Sequence, residues 1–163
     1  MNKLEHLSHG FGPLYDENCE ILILGSFPSP KSRQVSFYYG HPKNRFWIVL
    51  ASVLNEEVPQ TIKEKSNMCL KHHIALWDSI EECDIVGASD ASIKNVIPTD
   101  IAWLLSQSKI TKIFTVGKKS DECYRKYNYP KTNIEPVCLK STSPANCAYK
   151  IEDLIEDFRQ ILD

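Results

Sequence analysis

Four short, mostly apolar runs recur along the chain, separated by stretches with many polar residues. The runs fall at residues 20–24, 73–77, 112–116 and 136–139. Continuous apolar runs of this length are typical of strands that are buried on both faces of a sheet. The pattern therefore predicts four strands.

Between these runs, apolar residues recur at the spacing of an α-helix. A core-facing stripe at i, i+3, i+4 and i+7 is formed by Phe46, Val49, Leu50 and Val53. Further helices are predicted over residues 59–70, 101–105, 118–127 and 151–162. Strands that alternate with helices imply right-handed crossovers. We therefore predict a three-layer α/β/α fold with a central, mostly parallel four-stranded sheet, in one domain spanning residues 1–163.

Polar loops follow three of the predicted strands, at residues 25–44, 78–96 and 140–146. The carboxyl ends of parallel strands share one edge, which is where open α/β sheets bind ligands. The first loop is the strongest candidate, because long loops inside a compact domain usually carry function. Its polar and aromatic candidates are Ser26, Ser29, Ser32, Tyr38, Tyr39, His41 and Asn44. Residues 1–20 show no sustained period and predict only a lead-in with a short helix or turn.

Composition narrows the classes of partner. The formal net charge of −2 and the pI of about 6.2 argue against a broad electrostatic grip on nucleic acid. A basic segment at 109–131 leaves room for a local contact, although such charge runs are commonly solvated surface. The six cysteines have no zinc-site or iron–sulfur spacing, so we expect reduced thiols, no metal and no cofactor. With no apolar run of about 18 residues and no signal sequence, a cytoplasmic protein is expected.

The residues of the first loop leave several chemical roles open. Gly25-Ser26 matches neither a nucleophile elbow nor a phosphate-binding loop. Asn44 precedes a predicted helix, so it is the N-cap, a catalytic residue, or both. The adjacent tyrosines, Tyr38 and Tyr39, are either core aromatics or a platform on which a base stacks.

Three motifs of the chain resemble a known enzyme family. Its first motif here reads Gly25-x-x-Pro28, twelve residues, then His41-Pro42-x-Asn44-Arg45-Phe46-Trp47. This string is similar to motif 1 of the uracil-DNA glycosylase superfamily. The resemblance is closer still to its hypoxanthine-DNA (deoxyinosine) glycosylase branch, which has Gly-Ser-x-Pro-Ser, Tyr-Tyr-x-His-Pro-x-Asn-x-Phe-Trp, Ala-Leu-Trp-Asp and Ser-Thr-Ser-Pro-Ala-Asn in that order. The corresponding residues are 25–29, 38–47, 75–78 and 141–146, spread over nearly the whole chain.

The resemblance implies a monofunctional DNA glycosylase of base excision repair. Such an enzyme flips a deaminated base out of DNA and hydrolyses its N-glycosidic bond. The resemblance implies that Tyr39 stacks on the flipped base, with Gly25, Ser26 and Phe27 completing the base-binding set. The loop 141–146 would enter the minor groove and fill the gap that the base leaves. The implied DNA-binding residues are Ser29, Ser141, Thr142, Ser143, Pro144, Ala145 and Asn146.

The chain departs from its relatives at two positions. Phe27 stands where other branches carry an asparagine or aspartate that holds the attacking water. In the hypoxanthine branch the implicated residue corresponds to Asn44, whose neutral amide would orient water rather than deprotonate it. Asp78 is an alternative catalytic residue, as a base or a stabiliser of the sugar cation, or else a turn or cap residue. Lys140 replaces a proline, and it can either add a phosphate contact or loosen the loop that follows.

The expected partner is DNA that contains a deaminated base, with hypoxanthine favoured, and the expected state is a monomer. Two alternatives stay open: a uracil- or mismatch-specific glycosylase of the same fold, and a non-catalytic nucleic-acid-binding relative. A small-molecule hydrolase has little support, because no nucleophile–base pair is visible in the sequence.

Overall fold

A computed structural model describes residues 3–146 and 148–163 of the chain. The strands are β1 (Leu4–Ser8), β2 (Ile21–Gly25), β3 (Ile74–Asp78), β4 (Ile80–Val86), β5 (Lys94–Pro98), β6 (Lys112–Val116) and β7 (Val137–Leu139). The α-helices are α1 (Pro30–Val35), α2 (Phe46–Leu54), α3 (Ile62–Lys71), α4 (Ile101–Ser106), α5 (Lys118–Cys123), α6 (Tyr129–Thr132) and α7 (Ile151–Phe158). A π-helical turn at Tyr124–Asn128 joins α5 to α6, and 3-10 turns lie at Asp90–Ser92 and Arg159–Leu162.

The central sheet has four parallel strands in the order β3-β2-β6-β7, which confirms the predicted α/β architecture. Successive residues Leu22, Ile23 and Leu24 of β2 are all fully buried. Because successive side chains of a strand point to opposite faces, both faces of this strand are covered. The register pairs Gly25 with Asp78, so the two polar strand ends lie side by side.

Local capping explains where several helices begin. The Asp100 side chain accepts a hydrogen bond from Trp103 N at 3.2 Å and caps the start of α4. Thr61 caps α3 in the same way, through Glu64 N at 3.0 Å. None of the helices in the described ranges is long and apolar enough to span a membrane.

A second sheet was not predicted. It is antiparallel, in the order β1-β4-β5, and it occupies much of what we expected to be a lead-in and the loop 78–96. Strand β4, Ile-Glu-Glu-Cys-Asp-Ile-Val, buries Ile80, Cys83 and Ile85 but carries three acidic residues between them. These charges, together with the irregular pairing of β4 with β5, hide the alternation of a half-buried strand. The expectation of an irregular segment from 78 to 96 was therefore wrong.

The segment that follows β2 is also more regular than expected. Helix α1 begins at Pro30, and the Ser29 side chain caps it by accepting a hydrogen bond from Ser32 N at 3.1 Å. Ser32 in turn accepts a hydrogen bond from Gly40 N at 2.9 Å. The first loop is thus folded back on itself by a short capped helix.

Two apolar clusters form the core of the described chain. The larger surrounds the parallel sheet and includes residues from α2, α3, α4 and α7. The smaller lies against the antiparallel sheet and consists of Phe27, Ile80, Cys83, Ile85, Ile93 and Cys123. Phe27 therefore has a packing role in this smaller cluster. Four of the described cysteines are buried free thiols, and burial raises the pKa of Cys69 to about 12.

Candidate active site

A small pocket lies at the carboxyl edge of the parallel sheet, with a volume of about 170 Å³. Both predicted catalytic residues line it, as do all four predicted base-binding residues and Ser29. The loop 141–146 contributes its first four residues. Ala145 is exposed at the tip of that loop, and Asn146 lines a neighbouring groove instead. The structure thus brings together most of the residues that the sequence singled out.

Asp78 is the buried carboxylate of this pocket. It is the last residue of β3 and is only 4% exposed. Its Oδ2 atom lies 2.7 Å from Nε2 of His9, a residue with no exposed surface at all. The backbone N–H of His9 donates to Glu81 O at 2.7 Å, so the antiparallel sheet holds the imidazole in place. Asp78 is therefore neither a helix cap nor an exposed turn residue.

Gly25 leaves the space that the Asp78 carboxylate occupies. A Cβ at position 25 would overlap Asp78 Oδ1, and it would lie 3.3 Å from the Tyr39 hydroxyl oxygen. The carbonyl of Gly25 accepts hydrogen bonds from Ser79 N at 2.8 Å and from the Ser120 hydroxyl at 3.0 Å. These bonds fix the strand end, so a side chain at position 25 would have to move Asp78 or Tyr39.

Asn44 also lines the pocket and lies two residues before the start of α2, whose N-cap is Arg45 and not Asn44. Its Oδ1 atom accepts a hydrogen bond from Phe46 N at 2.9 Å, and its own N–H donates to His41 O at 2.9 Å. The side chain is half-buried and lines the pocket. One lone pair of Oδ1 and both Nδ2 protons remain for other partners. The predicted N-cap role is therefore wrong, although the Asn44 side chain accepts from the first N–H of α2 and still has groups free for a ligand.

The adjacent tyrosines have different environments. Tyr38 is a core residue, 2% exposed, and its hydroxyl donates to Gly12 O at 2.9 Å. Tyr39 has a left-handed backbone, with φ of 52°, and its ring stacks on Phe46 with centroids 3.8 Å apart. Burial, reinforced by the charge of Asp78, raises the pKa of Tyr39 well above its ordinary value. The Tyr39 phenol therefore stays neutral and able to donate.

Two buried hydroxyl groups in the pocket have no hydrogen-bond partner within the described chain, Tyr39 Oη and Thr142 Oγ1. Thr142 is only 1% exposed, so it lies inside the pocket rather than on a surface of the 141–146 loop. An unpaired buried hydroxyl costs about 1–3 kcal/mol. Both groups are therefore suited to hydrogen-bond a polar ligand in the pocket.

A second carboxylate, that of Asp90, also lines the pocket. Ser26 Oγ donates to Asp90 Oδ1 at 3.0 Å, and Asp90 begins the 3-10 turn between β4 and β5. Burial of the carboxylate raises the pKa of Asp90 although the residue as a whole is exposed, and the Ser26 bond and the Lys119 charge oppose that rise. The antiparallel sheet thus contributes an acidic group to the pocket edge.

Arg45 holds the loop 141–146 against the start of α2. Its guanidinium donates to the carbonyls of Tyr149 at 2.7 Å, Asn146 at 2.7 Å and Ser143 at 3.3 Å. Its backbone N–H donates to Thr142 O at 3.1 Å. The Arg45 side chain therefore fixes three carbonyls of this segment. The exposed tip of the loop 141–146 carries Pro144 and Ala145.

Lys140 is held in place at the start of the same segment. Its backbone N–H donates to Asp157 Oδ2 at 2.7 Å, and its Nζ lies 3.5 Å from Asp157 Oδ1 and 5.1 Å from the centre of the Tyr149 ring. Lys140 thus ties the loop to α7. Nearby, Lys118 and Lys119 line a groove that continues from the pocket past Ser141 and Asn146.

Three residues of this site were missed by sequence reasoning: His9, Arg45 and Asp90. His9 reaches Asp78, and Asp90 reaches the pocket, through the antiparallel sheet, whose strands the sequence does not reveal. Arg45 stands within the recognised motif, and its contacts are all to backbone carbonyls, which carry no sequence signal. In the described ranges, no group of three or more His, Cys, Asp or Glu residues is arranged to hold a metal ion.

Known proteins similar to this chain agree on one class. The chain is 37% identical over 115 residues to the hypoxanthine DNA glycosylase of Methanosarcina barkeri, a match that covers 69% of this chain and 73% of that one. It is 36% identical over 118 residues to the hypoxanthine DNA glycosylase of Methanosarcina acetivorans, covering 71% and 75%. A solution NMR structure of a candidate uracil DNA glycosylase from M. acetivorans superposes with a TM-score of 0.78 at 30% identity, over 94% and 98% of the two chains. No protein-family model matches the chain.

Proposed function

Because this chain belongs to the hypoxanthine DNA glycosylase family, we propose that it excises a deaminated base from DNA, with hypoxanthine preferred. The reaction is hydrolysis of the N-glycosidic bond by water, which leaves an abasic site. A base inside a duplex cannot reach a protein pocket, so the nucleotide must first be flipped at a cost of a few kcal/mol. The enzyme then has to compensate for the lost stacking and stabilise the charges that develop as the base departs.

The observation that carries this proposal is the combination of a buried carboxylate and two unpartnered hydroxyls in one small pocket. Its volume of about 170 Å³ is below the range of about 300–1,000 Å³ that is typical of drug-sized ligands. It is thus suited to a single base. The free hydroxyl of Thr142 would pair with a polar edge of that base.

The pocket residues divide the chemistry between them. The Tyr39 ring is covered on one face by Phe46, so a base would stack on the other. Asn44 would hold the attacking water through its amide while its Oδ1 stays bonded to the start of α2. Asp78 would face the sugar as positive charge develops there, and a fixed carboxylate in a buried site stabilises such charge strongly. Phe27 would contribute an apolar wall and no proton transfer.

The loop 141–146 supplies the means of keeping the duplex open. Its exposed apolar tip, Pro144 and Ala145, has the size and polarity of a wedge that enters between bases. The surrounding hydroxyls and amides of Ser29, Ser141, Ser143 and Asn146 would contact phosphates and sugars, which positions the enzyme without reading sequence. We also propose that the enzyme acts as a monomer in the cytoplasm.

The test uses duplexes that contain a single deoxyinosine or a single deoxyuridine, with alkali to cleave the abasic strand. We expect the deoxyinosine strand to be cut faster. Asn44→Ala should lower kcat by about 10²–10³-fold, the effect of removing one preorganised polar group. Ser66→Ala, a substitution on α3 away from the pocket, is the matched control. Faster release of uracil would reassign the enzyme to uracil, and absence of any release would favour a binding protein.

A further inference from the structure

Both ring nitrogens of His9 face oxygen atoms. Nδ1 lies 2.6 Å from the carbonyl oxygen of Phe11, and Nε2 lies 2.7 Å from Asp78 Oδ2. A carbonyl can only accept, so Nδ1 carries a proton. Nε2 then either carries a second proton, which makes an imidazolium–carboxylate pair, or accepts one from a protonated Asp78. In both cases the two residues share a proton across this contact.

The surroundings favour the charged pair. Burial by itself lowers the pKa of His9, but the hydrogen bond to Asp78, the Asp78 charge and the Phe11 carbonyl together raise that pKa above its ordinary value. The rings of Phe11, Tyr38 and Phe27 enclose the imidazole at centroid distances of 4.5, 6.0 and 6.3 Å. The other ionisable groups that act on the pair are Glu81, Asp90, Tyr38 and Tyr39.

These neighbours leave the cation of His9 as the counterion for Asp78. Glu81 and Asp90 are acidic, and the two phenols are neutral because burial raises the pKa of both tyrosines. A buried carboxylate without a cation is costly and takes up a proton. One Asp78 oxygen is engaged by His9, while the other lies beside Gly25 at the pocket. The pair therefore has one end in the core and one end at the site.

We propose that His9 is a positioning residue of the glycosylase, which acts through Asp78 by keeping it ionised and aiming its Oδ1 atom into the pocket. This role rests on the function proposed above. It gives the antiparallel sheet a part in catalysis, since that sheet holds the His9 backbone through Glu81. The expected benefit is a negative charge already in place when the sugar becomes cationic, with no reorganisation at that moment.

The main test is a cycle of His9→Gln, Asp78→Asn and the double variant, assayed for base release across pH. We expect His9→Gln to lower kcat by about 10- to 100-fold, because small misplacements of a reacting group have effects up to about 10²-fold. The acid limb of its pH profile should move to higher pH. In the Asp78→Asn background, His9→Gln should have no further effect on kcat. Equal losses in both backgrounds, or an unmoved acid limb, would overturn the proposal.

His6→Gln is the matched control. His6 lies three residues earlier, is exposed, and also contacts two carboxylates, Asp84 at 2.7 Å and Glu82 at 3.1 Å. Because it contacts the outer strand face and not Asp78, its replacement should leave kcat and the pH profile unchanged. A loss in this variant equal to that of His9→Gln would count against a specific role for His9.

A second measurement is independent of enzymatic activity. Long-range ¹H–¹⁵N spectra of the wild-type protein should show both His9 nitrogens protonated at pH 7, and Asp78→Asn should remove that state. A neutral His9 at pH 7 in the wild type would contradict the charged pair. If the wild type releases no base from any DNA, the proposed function fails, whereas these spectra still decide whether the pair exists.

Discussion

The parallel and antiparallel sheets meet at the pocket, and they contribute different groups to it. The parallel sheet contributes strand ends: Gly25 and Asp78 lie side by side at its carboxyl edge. The antiparallel sheet contributes what surrounds them, with His9 behind the carboxylate and Asp90 at the rim. A single residue, Ser79, separates the last residue of β3 from the first residue of β4. Asp78 thus stands at the junction of the two sheets.

The two sheets differ in burial, and this difference explains which groups each sheet contributes to the site. Strands β2, β3 and β6 of the parallel sheet are buried on both faces, so close packing sets their geometry and fixes their ends in position. The antiparallel sheet has one face toward a small apolar cluster, and its outer positions are charged. It is therefore free to present ionisable groups at the pocket. In the proposed mechanism the catalytic carboxylate, Asp78, comes from the first sheet, and His9, which would keep it charged, is held by the second.

The largest expected effect separates the two carboxylates. Asp78→Asn should lower kcat for base release by about 10²–10³-fold, because it removes a fixed charge from a buried site. Asp90→Asn should lower kcat by about fivefold or less, since a single hydrogen bond contributes about 1 kcal/mol. Single-turnover assays on the same deoxyinosine duplex measure both. A larger loss for Asp90→Asn would mean that the catalytic carboxylate is Asp90, which the antiparallel sheet contributes, and not Asp78.

The space at Gly25 gives the next test. Gly25→Ala would place a methyl group against Asp78 Oδ1, which cannot move freely because His9 holds the other carboxylate oxygen. Overpacking of this kind destabilises proteins by about 1–3 kcal/mol, and here it should also reduce kcat. Chemical denaturation and base-release assays give the two values. Gly12→Ala, where an added Cβ meets no atom within 4 Å, is the control.

These contrasts also show how far the sequence could lead. Three of the parallel strands, β2, β3 and β6, were predictable because strands buried on both faces are mostly apolar. Strand β7 is a short edge strand whose first two residues are exposed. Strand β1, Leu-Glu-His-Leu-Ser, is largely exposed and short, so its pattern does not differ from that of a loop. The pairing of β1 with β4 and the bridge between Leu14 and Leu76 are long-range contacts, and together they bring His9 to Asp78. Local patterns cannot predict such a juxtaposition.

Arg45 tests whether loop geometry matters separately from chemistry. Arg45→Ala removes three side-chain bonds, to the carbonyls of Ser143 and Asn146 in the loop and of Tyr149 beyond it. It should raise KM for DNA by roughly tenfold, about 1.4 kcal/mol, with a smaller change in kcat. Arg45→Lys should recover little, because lysine lacks the planar fork that reaches several acceptors. The control is Arg159→Ala, because Arg159 is exposed and forms an ion pair with Glu156. An unchanged KM in Arg45→Ala would show that the loop holds its shape without this residue.

The smallest expected effect concerns stability as a function of pH. The folded-state pKa of His9 is raised above the ordinary histidine value of about 6.5, so its charged pair stabilises the protein fully below that pH. That contribution is lost as pH rises through the raised pKa. The difference in unfolding free energy between wild type and His9→Gln should therefore be largest near pH 6 and shrink toward alkaline pH. Urea denaturation at a series of pH values measures it. For exposed His6, whose pKa is also raised, screening by solvent should leave the corresponding difference much smaller. A His9→Gln difference that stays constant with pH would mean that packing, not charge, is what His9 contributes, and the division of labour between the two sheets would then be structural alone.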